Sequence, residues 1–464
     1  MSALLCLEAS AHGVSTDLGS VALPPGFKIE LFASDLGSVR FMAIGPSGAL
    51  FVSVPRTGRI LALPDRDRDG KTDRTTVFAD DLNRPHGLAF RDGDLYVAET
   101  DRVVRLRDKD GDLRADDQQV IVADLPSGGG HWTRTIGFGP DGKLYVSIGS
   151  SCNVCIERDP RRAAIVQYNP DGTGEQIYAA GLRNSVGFVW HPETGEMWAT
   201  DNGRDWLGDD LPSDEINIVV NGGFYGWPYC YGRNISDPDF GDRDRCAQAT
   251  PPEVALQAHS APLGLAFYTG AQFPETYRGN LFVAYHGSWN RSIPTGYKVV
   301  RVRMEKGKPV EVEDFATGWL QGDQAWGRPV DVLVWTDGSL LVTDDRTGFI
   351  YRIWYTHPST EVEGSETGGI LPERYGLEQN YPNPFNGQTE IRYHLKEMGR
   401  ITLSLYDLSG QQLRVLVDKV RPAGTYSAVW DGTDRGGVPA ASGVYLFRMT
   451  ASGFASTKKM LLLR

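Results

Sequence analysis

The sequence predicts an all-β chain: a six-bladed β-propeller followed by a small, separate β-sandwich of the immunoglobulin-like kind. Three observations predict it. A two-strand phrase recurs six times. Its first copies stand about 45 to 50 residues apart, the length of a four-stranded blade. No fifteen-residue window carries convincing helical periodicity.

The elements follow in order. Residues 1–23 open on MSALLCLEASAHG, a short apolar patch with no basic residue before it and Glu8 close behind, which reads as the remnant of a clipped or mis-started signal peptide. The propeller is expected over residues 24–355. Its six copies are MAIGPSGALFVSV (42–54), GLAFRDGDLYVAE (87–99), IGFGPDGKLYVSI (136–148), GFVWHPETGEMWAT (187–200), GLAFYTG with GNLFVAY (264–285) and DVLVWTDGSLLVTD (331–344). Each is a hairpin by its own chemistry: Asp-Gly, Ser-Gly and Thr-Gly pairs supply the positive φ of a tight turn, and alternating apolar flanks supply the strands. Most copies lead to a third strand, as in GRILAL, RVVRL, AIVQY, YKVVRV and GFIYRI. Residues 356–375 are polar and rich in Ser, Thr, Glu and Gly, as a linker is. From 376 to 464, TEIRYHL, ITLSLYDLSG, GTYSAVWDG, GVYLFRMTA and KKMLLLR are spaced like the strands of a small sandwich.

Composition narrows the function. The net charge is −12 and no Lys/Arg-rich stretch stands out, so the cationic stripe of a nucleic-acid binder is missing. No run of eighteen apolar residues could cross a membrane as a helix. Of five cysteines, Cys152 and Cys155 form a CxxC, Cys230 and Cys246 are sixteen apart, and Cys6 stands alone. Neither zinc spacing nor a βαβ context surrounds the CxxC, so two structural disulfides in an oxidising compartment are expected. Asp65, Asp67, Asp69 and Asp73 recur in frame as Asp108, Asp110, Asp112 and Asp116. The first loop resembles a calcium loop, but its twelfth position is Thr76 rather than a bidentate glutamate, so a weak calcium site and a solvated loop both stay open. Asp214 and Glu215, in a turn before INIVV, are expected to be solvated rather than to hold a cation.

Seven ordered phrases carry a resemblance: RPHGLAF (84–90), HWTRTIGFGPDGKLYVSIG from His131, GLRNSVGF (181–188), DNGRD (201–205), SDEINIVVNGGFYGWP (213–228), HSAPLGLAFY (259–268) and HGSWNR (286–291). With them the chain resembles the soluble glucose/sorbosone dehydrogenases, six-bladed propellers that hold pyrroloquinoline quinone (PQQ) and calcium at one end of the channel. The tail, through LEQNYPNPFN, LYDLSGQ, SGVYLFRM and KKMLLLR, resembles the C-terminal sorting domain of the bacterial type IX secretion pathway.

The resemblance implies a secreted or cell-surface bacterial enzyme that oxidises a sugar hemiacetal or aldehyde by passing hydride to the quinone. It implies His131 as general base, expected to titrate near working pH. It implies Arg183 and Asn184 as the pair turned onto the cofactor. Gly203 and Arg204 stand where backbone carbonyls ligate calcium, with Arg204 in place of the more familiar proline. Arg328 and Arg291 would complete a basic ring. His86 and His259 fall where polar groups approach cofactor or substrate, and a structural histidine is an equal reading for each. The CxxC is followed by Ile156 and not by the histidine of a haem attachment motif, so electrons would leave to an external acceptor. Two other functions remain: a calcium-dependent lactonase or hydrolase, which would need Asp, Asn and Glu side chains converging on the axis, and a non-catalytic cell-surface carbohydrate-binding propeller.

Overall fold

The second strand of every hairpin copy is apolar on both faces, and the fold shows why. Leu50–Val54, Asp94–Ala98, Leu144–Ile148, Met197–Asp201, Leu281–Tyr285 and Leu340–Asp344 are buried along their whole length. Strict alternation would leave one face to water, whereas here each sheet is covered on both sides by its neighbours. The computed structural model describes residues 18–356, 361–362, 372, 374–386, 388–434 and 439–463. The chain divides after Tyr355 into two compact units.

The first unit holds six sheets in blade order, each with four antiparallel strands, and in blade 3 the short segment Gly223–Phe224 adds a fifth strand in parallel. Blades 1 and 2 span residues 42–79 and 88–122, blades 3 and 4 residues 134–180 and 188–256, and blade 5 residues 262–316. Blade 6 takes three strands from residues 329–355 and its fourth, Phe27–Ala33, from the start of the chain. Phe27 pairs with Tyr355, Ile29 with Ile353 and Leu31 with Tyr351, so the two ends of the unit close the ring in one sheet. All six hairpin copies read from the sequence supply the first two strands of a blade. The closing strand carried no copy of the phrase and was not foreseen.

Adjacent blades are stitched by side chains of the inner strands. The Ser53 hydroxyl donates to the carbonyl of His86 (2.8 Å), Thr200 to that of Leu263 (2.8 Å) and Thr343 to that of Arg40 (2.7 Å). The inner strands also run close enough to demand glycine: a Cβ on Gly187 would lie 2.1 Å from the Leu263 carbonyl oxygen, and one on Gly264 would lie 2.0 Å from Asp331 Oδ1. The glycines that open GF and GLAF are therefore packing residues.

Cys152 and Cys155 are bridged. The second expected disulfide is not formed. Cys230 and Cys246 are buried thiols packed with Ala249, and the Cys246 thiol turns to the carbonyl of Tyr229 (3.3 Å) instead. Cys6, the signal-like start and most of the expected linker lie outside the described residues. The aspartates at 65, 67 and 69, and those at 108, 110 and 116, gather their oxygens within 4.8 Å but are largely exposed, and Asp65, Asp69, Asp73, Asp108 and Asp116 accept N–H groups of their own loops.

The second unit is two four-stranded antiparallel sheets. Thr389–Leu395 and Gly424–Trp430 centre one; Gly399–Tyr406, Gln412–Arg421, Gly443–Ala451 and Phe454–Leu462 form the other. Ile391, Tyr393, Leu403, Trp430, Phe447 and Leu462 are fully buried in its core. Phe385 of YPNPFN exchanges main-chain hydrogen bonds with Leu461 (3.0 Å) and Leu463 (2.9 Å), so the opening and closing phrases of the domain meet.

Candidate active site at the channel mouth

In an antiparallel pair the start of the first strand and the end of the second lie at the same edge. Repeated round a propeller, this brings the residues just before strand one and just after strand two of every blade to one rim. The sequence candidates occupy such places: His131 precedes blade 3, Arg183 and Asn184 precede blade 4, Gly203 and Arg204 follow its second strand, His259 precedes blade 5 and Arg328 precedes blade 6.

His131, Arg183, Asn184, Gly203 and His259 line one cavity of about 210 Å³. His131 Nδ1 lies 2.9 Å from the Ser150 carbonyl oxygen and 2.9 Å from its hydroxyl. A carbonyl only accepts, so Nδ1 carries the proton and Nε2 presents a lone pair. Burial, the charge of Arg183 and, less strongly, those of Arg162 and Arg134 push the His131 pKa down to about 3. The expectation of titration near working pH is thereby corrected: this imidazole is neutral across the ordinary range because it is desolvated beside cations.

Arg183 is buried and spread over four acceptors: Asn153 O (2.9 Å), Asn153 Oδ1 (2.9 Å), Asn202 O (3.1 Å) and Asp205 (3.3 Å). The pair Arg183–Asn184 is set by Asp201, whose carboxylate accepts the main-chain N–H of Arg183 (2.9 Å) and of Asn184 (2.6 Å). Asp214 likewise receives Gly203 N–H and Ala261 N–H, both at 2.9 Å, tying blade 4 to blade 5. Burial raises Asp201 and Asp214 to about 7 and Glu215 to about 8. Asp214 and Glu215 are thus buried and not solvated as the turn context suggested, because the strand they begin is an interior strand of its blade.

Among the other candidates, the side chains of Arg204, Arg291 and His86 are engaged away from the cavity. Arg204 turns its guanidinium to Asp237 (2.7 Å) and Asp239 (2.9 Å) in the blade 4 insertion, which leaves only its main chain near the cavity. Arg291 is held by the carbonyls of Asp209 and Ala258 and by Asp210. His86 is fully buried between blades, with Phe41 at 4.3 Å between ring centroids and Arg134 O at 3.3 Å from Nδ1; its part is structural. His259 donates from Nε2 to the carbonyl of Gly208 (2.9 Å). Arg328 reaches the cavity through His286, donating to its Nδ1 at 2.9 Å.

Several site residues escaped the sequence reading. His286 lines the cavity, and its Nε2 lies 3.0 Å from each oxygen of Asp345, which also pairs with Arg40 at 2.7 Å. Burial holds His286 at about 4, while His286 and Arg40 keep Asp345 well below the usual carboxylate range. Beside this chain lies a second hollow, walled by Arg40, Arg84 and Trp132, with the Arg84 guanidinium 4.1 Å from the Trp132 ring centre. The signal was available in principle: Arg40, His286 and Asp345 all hold the rim positions that flank a blade hairpin.

Residues 21–356 match the TrAA12-like family model and residues 383–453 the FlgD Ig-like domain. An uncharacterized protein of Borreliella burgdorferi is 33% identical over 353 residues, covering 72% of this chain and 91% of its own. The pyrroloquinoline quinone-dependent pyranose dehydrogenase of Coprinopsis cinerea is 26% identical over 402 residues, 71% of this chain and 54% of that one. The chain therefore spans about half the length of that relative. Among solved structures, the calcium structure of the Trichoderma reesei family AA12 enzyme superposes with TM-score 0.64 at 22% identity, covering 72% of this chain and 97% of that one. The holo form of the pyranose dehydrogenase PQQ domain from Coprinopsis cinerea gives 0.62 at 21%, with the same coverage.

The fold is thus that of the quinone-binding propellers, carrying an Ig-like domain at its C-terminal end. The chain belongs to the TrAA12-like family.

Proposed function

We propose that the channel-mouth cavity oxidises a sugar, an aldose or a sorbosone-like aldehyde, with PQQ as hydride acceptor and calcium bound beside it. The observation that carries this reading is a neutral imidazole with a bare Nε2 next to buried cations and unpaired polar atoms. Asn202 Oδ1 and Asn290 Oδ1, both in residues that line the cavity, are buried without a partner. Among the described residues no group donates to the carbonyl oxygens of Gly203 or Arg204. Such free oxygens suit a hard cation, and Arg183, Arg328 and the Asn184 amide suit an anionic, carbonyl-bearing ring. The donor set fits both groups.

Arg183, Asn184 and Arg328 would hold the cofactor, and the main-chain oxygens of Gly203 and Arg204 the calcium. When bound, the quinone would supply a hydride acceptor and the ion a Lewis acid. His131 takes the hydroxyl proton of the sugar at Nε2, with its ring fixed by the Nδ1–H bond to Ser150. Removing that proton as hydride leaves is worth about 10²- to 10⁴-fold. An external acceptor would take up the electrons.

A calcium-dependent hydrolase on the same scaffold draws support from Asp205 and Asp214 at the cavity wall. Their oxygens are engaged, however: Asp214 by two main-chain N–H groups, and Asp205 by Arg183 and Asn290. The main-chain oxygens of Gly203 and Arg204 remain open, whereas Arg183 and Arg328 would exchange their present partners for the cofactor.

The Ig-like unit we assign to export through the type IX machinery, giving a secreted or cell-surface enzyme; its YPNPFN and KKMLLL segments form one hydrogen-bonded edge. Dye reduction across a sugar panel, with and without PQQ and calcium, tests the enzyme reading. Activity should require both additives and fall at least about a hundredfold in His131→Ala. Turnover independent of PQQ would reject it. A reporter fused to residues 376–464 should leave a type IX-competent cell; retention inside would reject the export reading.

A further inference from the structure

Trp206 and Trp289 stand out on the surface. They are 66% and 67% exposed, far from the usual fate of an indole. They belong to loops more than eighty residues apart in sequence, yet their rings meet edge to face at 5.1 Å between centroids and 87° between planes. Trp289 also lines the cavity that holds His131. The indole pair is therefore continuous with the candidate active site.

The two loops are clasped. Asn290 Nδ2 donates to Asp205 Oδ1 (2.8 Å), Ser292 N–H to Asp209 Oδ1 (3.0 Å), and Arg291 to the Asp209 carbonyl and to Asp210 (3.4 Å). The Arg291 side chain is itself only 12% exposed, so the clasp is a built feature rather than a loose surface contact. Trp206 sits at φ +72°, a conformation that a bulky residue rarely adopts and that the surrounding structure must impose. A strained, exposed indole held rigidly at a cavity rim has paid its ordering cost before any ligand arrives.

We propose that Trp206 and Trp289 form an aromatic platform for the second and third rings of a saccharide whose reducing end enters the cavity, so that the preferred substrate is an oligosaccharide and not a free monosaccharide. This rests on the oxidation reading above. A pyranose offers an apolar C–H face to an indole and a rim of hydroxyls to polar neighbours. Asp209 and Asp210 supply acceptors beside the rings. Arg291 acts as a positioning residue that keeps the loops together.

The test compares glucose with cellobiose, cellotriose, maltose and maltotriose, using the intact chain loaded with PQQ and calcium, alongside calorimetric titration of the same sugars into the unloaded chain. In at least one linkage series kcat/KM should rise tenfold or more from one ring to three. Trp206→Gly, which suits the local φ and leaves the fold in place, should bring that advantage to within twofold and weaken trisaccharide binding about tenfold. Arg291→Ala should cut the advantage in part, and Arg291→Lys should restore some of it. Equal kcat/KM at all chain lengths, or an advantage that survives in Trp206→Gly, would overturn the platform while leaving the oxidation reading intact. Trisaccharide binding that depends on Trp206 with no sugar oxidised would uphold the platform and reject the oxidation reading.

Discussion

Asp201 offers the sharpest test of how the site is held. It is 6% exposed, ends an interior strand of blade 4, and accepts the main-chain N–H groups of Arg183 and Asn184. Asp201→Ala would strand two buried donors, each at a cost of about 1 to 3 kcal/mol, so a loss of about 2 to 6 kcal/mol is expected. Asp201→Asn keeps one acceptor oxygen but sets an NH₂ against the other donor, and should lose about half as much. The charge matters as well. Asp201 pairs in register with Glu215 across the sheet, and its carboxylate helps push Glu215 up to about 8. In Asp201→Asn, Glu215 should titrate lower. Guanidinium unfolding followed by tryptophan fluorescence reads the first effect, and carboxyl resonances of the labelled protein read the second. If Asp201→Ala unfolds within about 0.5 kcal/mol of the parent, the two N–H groups have found other partners and the reasoning fails.

The remaining predictions are briefer. Ser150→Ala leaves the carbonyl that orients His131 in place and should cost under about tenfold in kcat, far less than His131→Ala, where about 10²- to 10⁴-fold is expected; equal losses would show that the hydroxyl holds the tautomer. Gly187→Ala would drive a Cβ onto the Leu263 carbonyl and should lower stability by about 1 to 3 kcal/mol, measured as a shift in unfolding midpoint; an unshifted midpoint would show that the inner strands can part. Stability of the metal-free chain should fall as pH rises from about 4 to about 8. Asp201, Asp214 and Asp331 near 7 and Glu215 near 8 hold protons that the unfolded chain has released above about pH 4, so their contribution is lost as pH rises through those values. His131 near 3 and His286 near 4 run the opposite way, their contribution being lost only as pH falls below about 6.5 toward those values. Two histidines offset only part of what four carboxyls lose below about pH 6.5, so the decline is steepest between about pH 6.5 and 7 and ends near 8. Glu215→Gln should flatten that decline, and an unchanged slope would contradict the assignment.

Much of the propeller was legible because its signal is local and repeated. Six Gly-centred hairpins announced six blades, and the family resemblance, rather than any local pattern, grouped His131, Arg183, Asn184 and Gly203 although they are dispersed in sequence. What escaped was long-range. Phe27–Ala33 joins blade 6 through pairing that no local phrase records. Asp214 and Glu215 looked like solvated turn acids because burial by neighbouring blades is invisible in a single strand. Arg291 has the residue type that an anionic cofactor wants, but it found nearer acceptors in Asp209, Asp210 and Ala258, as an isolated cation in a loop-rich region will. His86 fell in a matching phrase for reasons of packing. Desolvation also decided the state of His131, which a sequence position cannot report.

The central claim is that the cavity beside His131 binds a quinone and reduces it with a sugar. Adding PQQ to the calcium-loaded chain and recording its absorbance before and after an aldose puts that claim to one measurement. A one-to-one quinone band that bleaches with sugar in the parent, and persists unbleached in His131→Ala, is the predicted result. A chain that retains no quinone, or a band that every sugar leaves unchanged, would contradict the account.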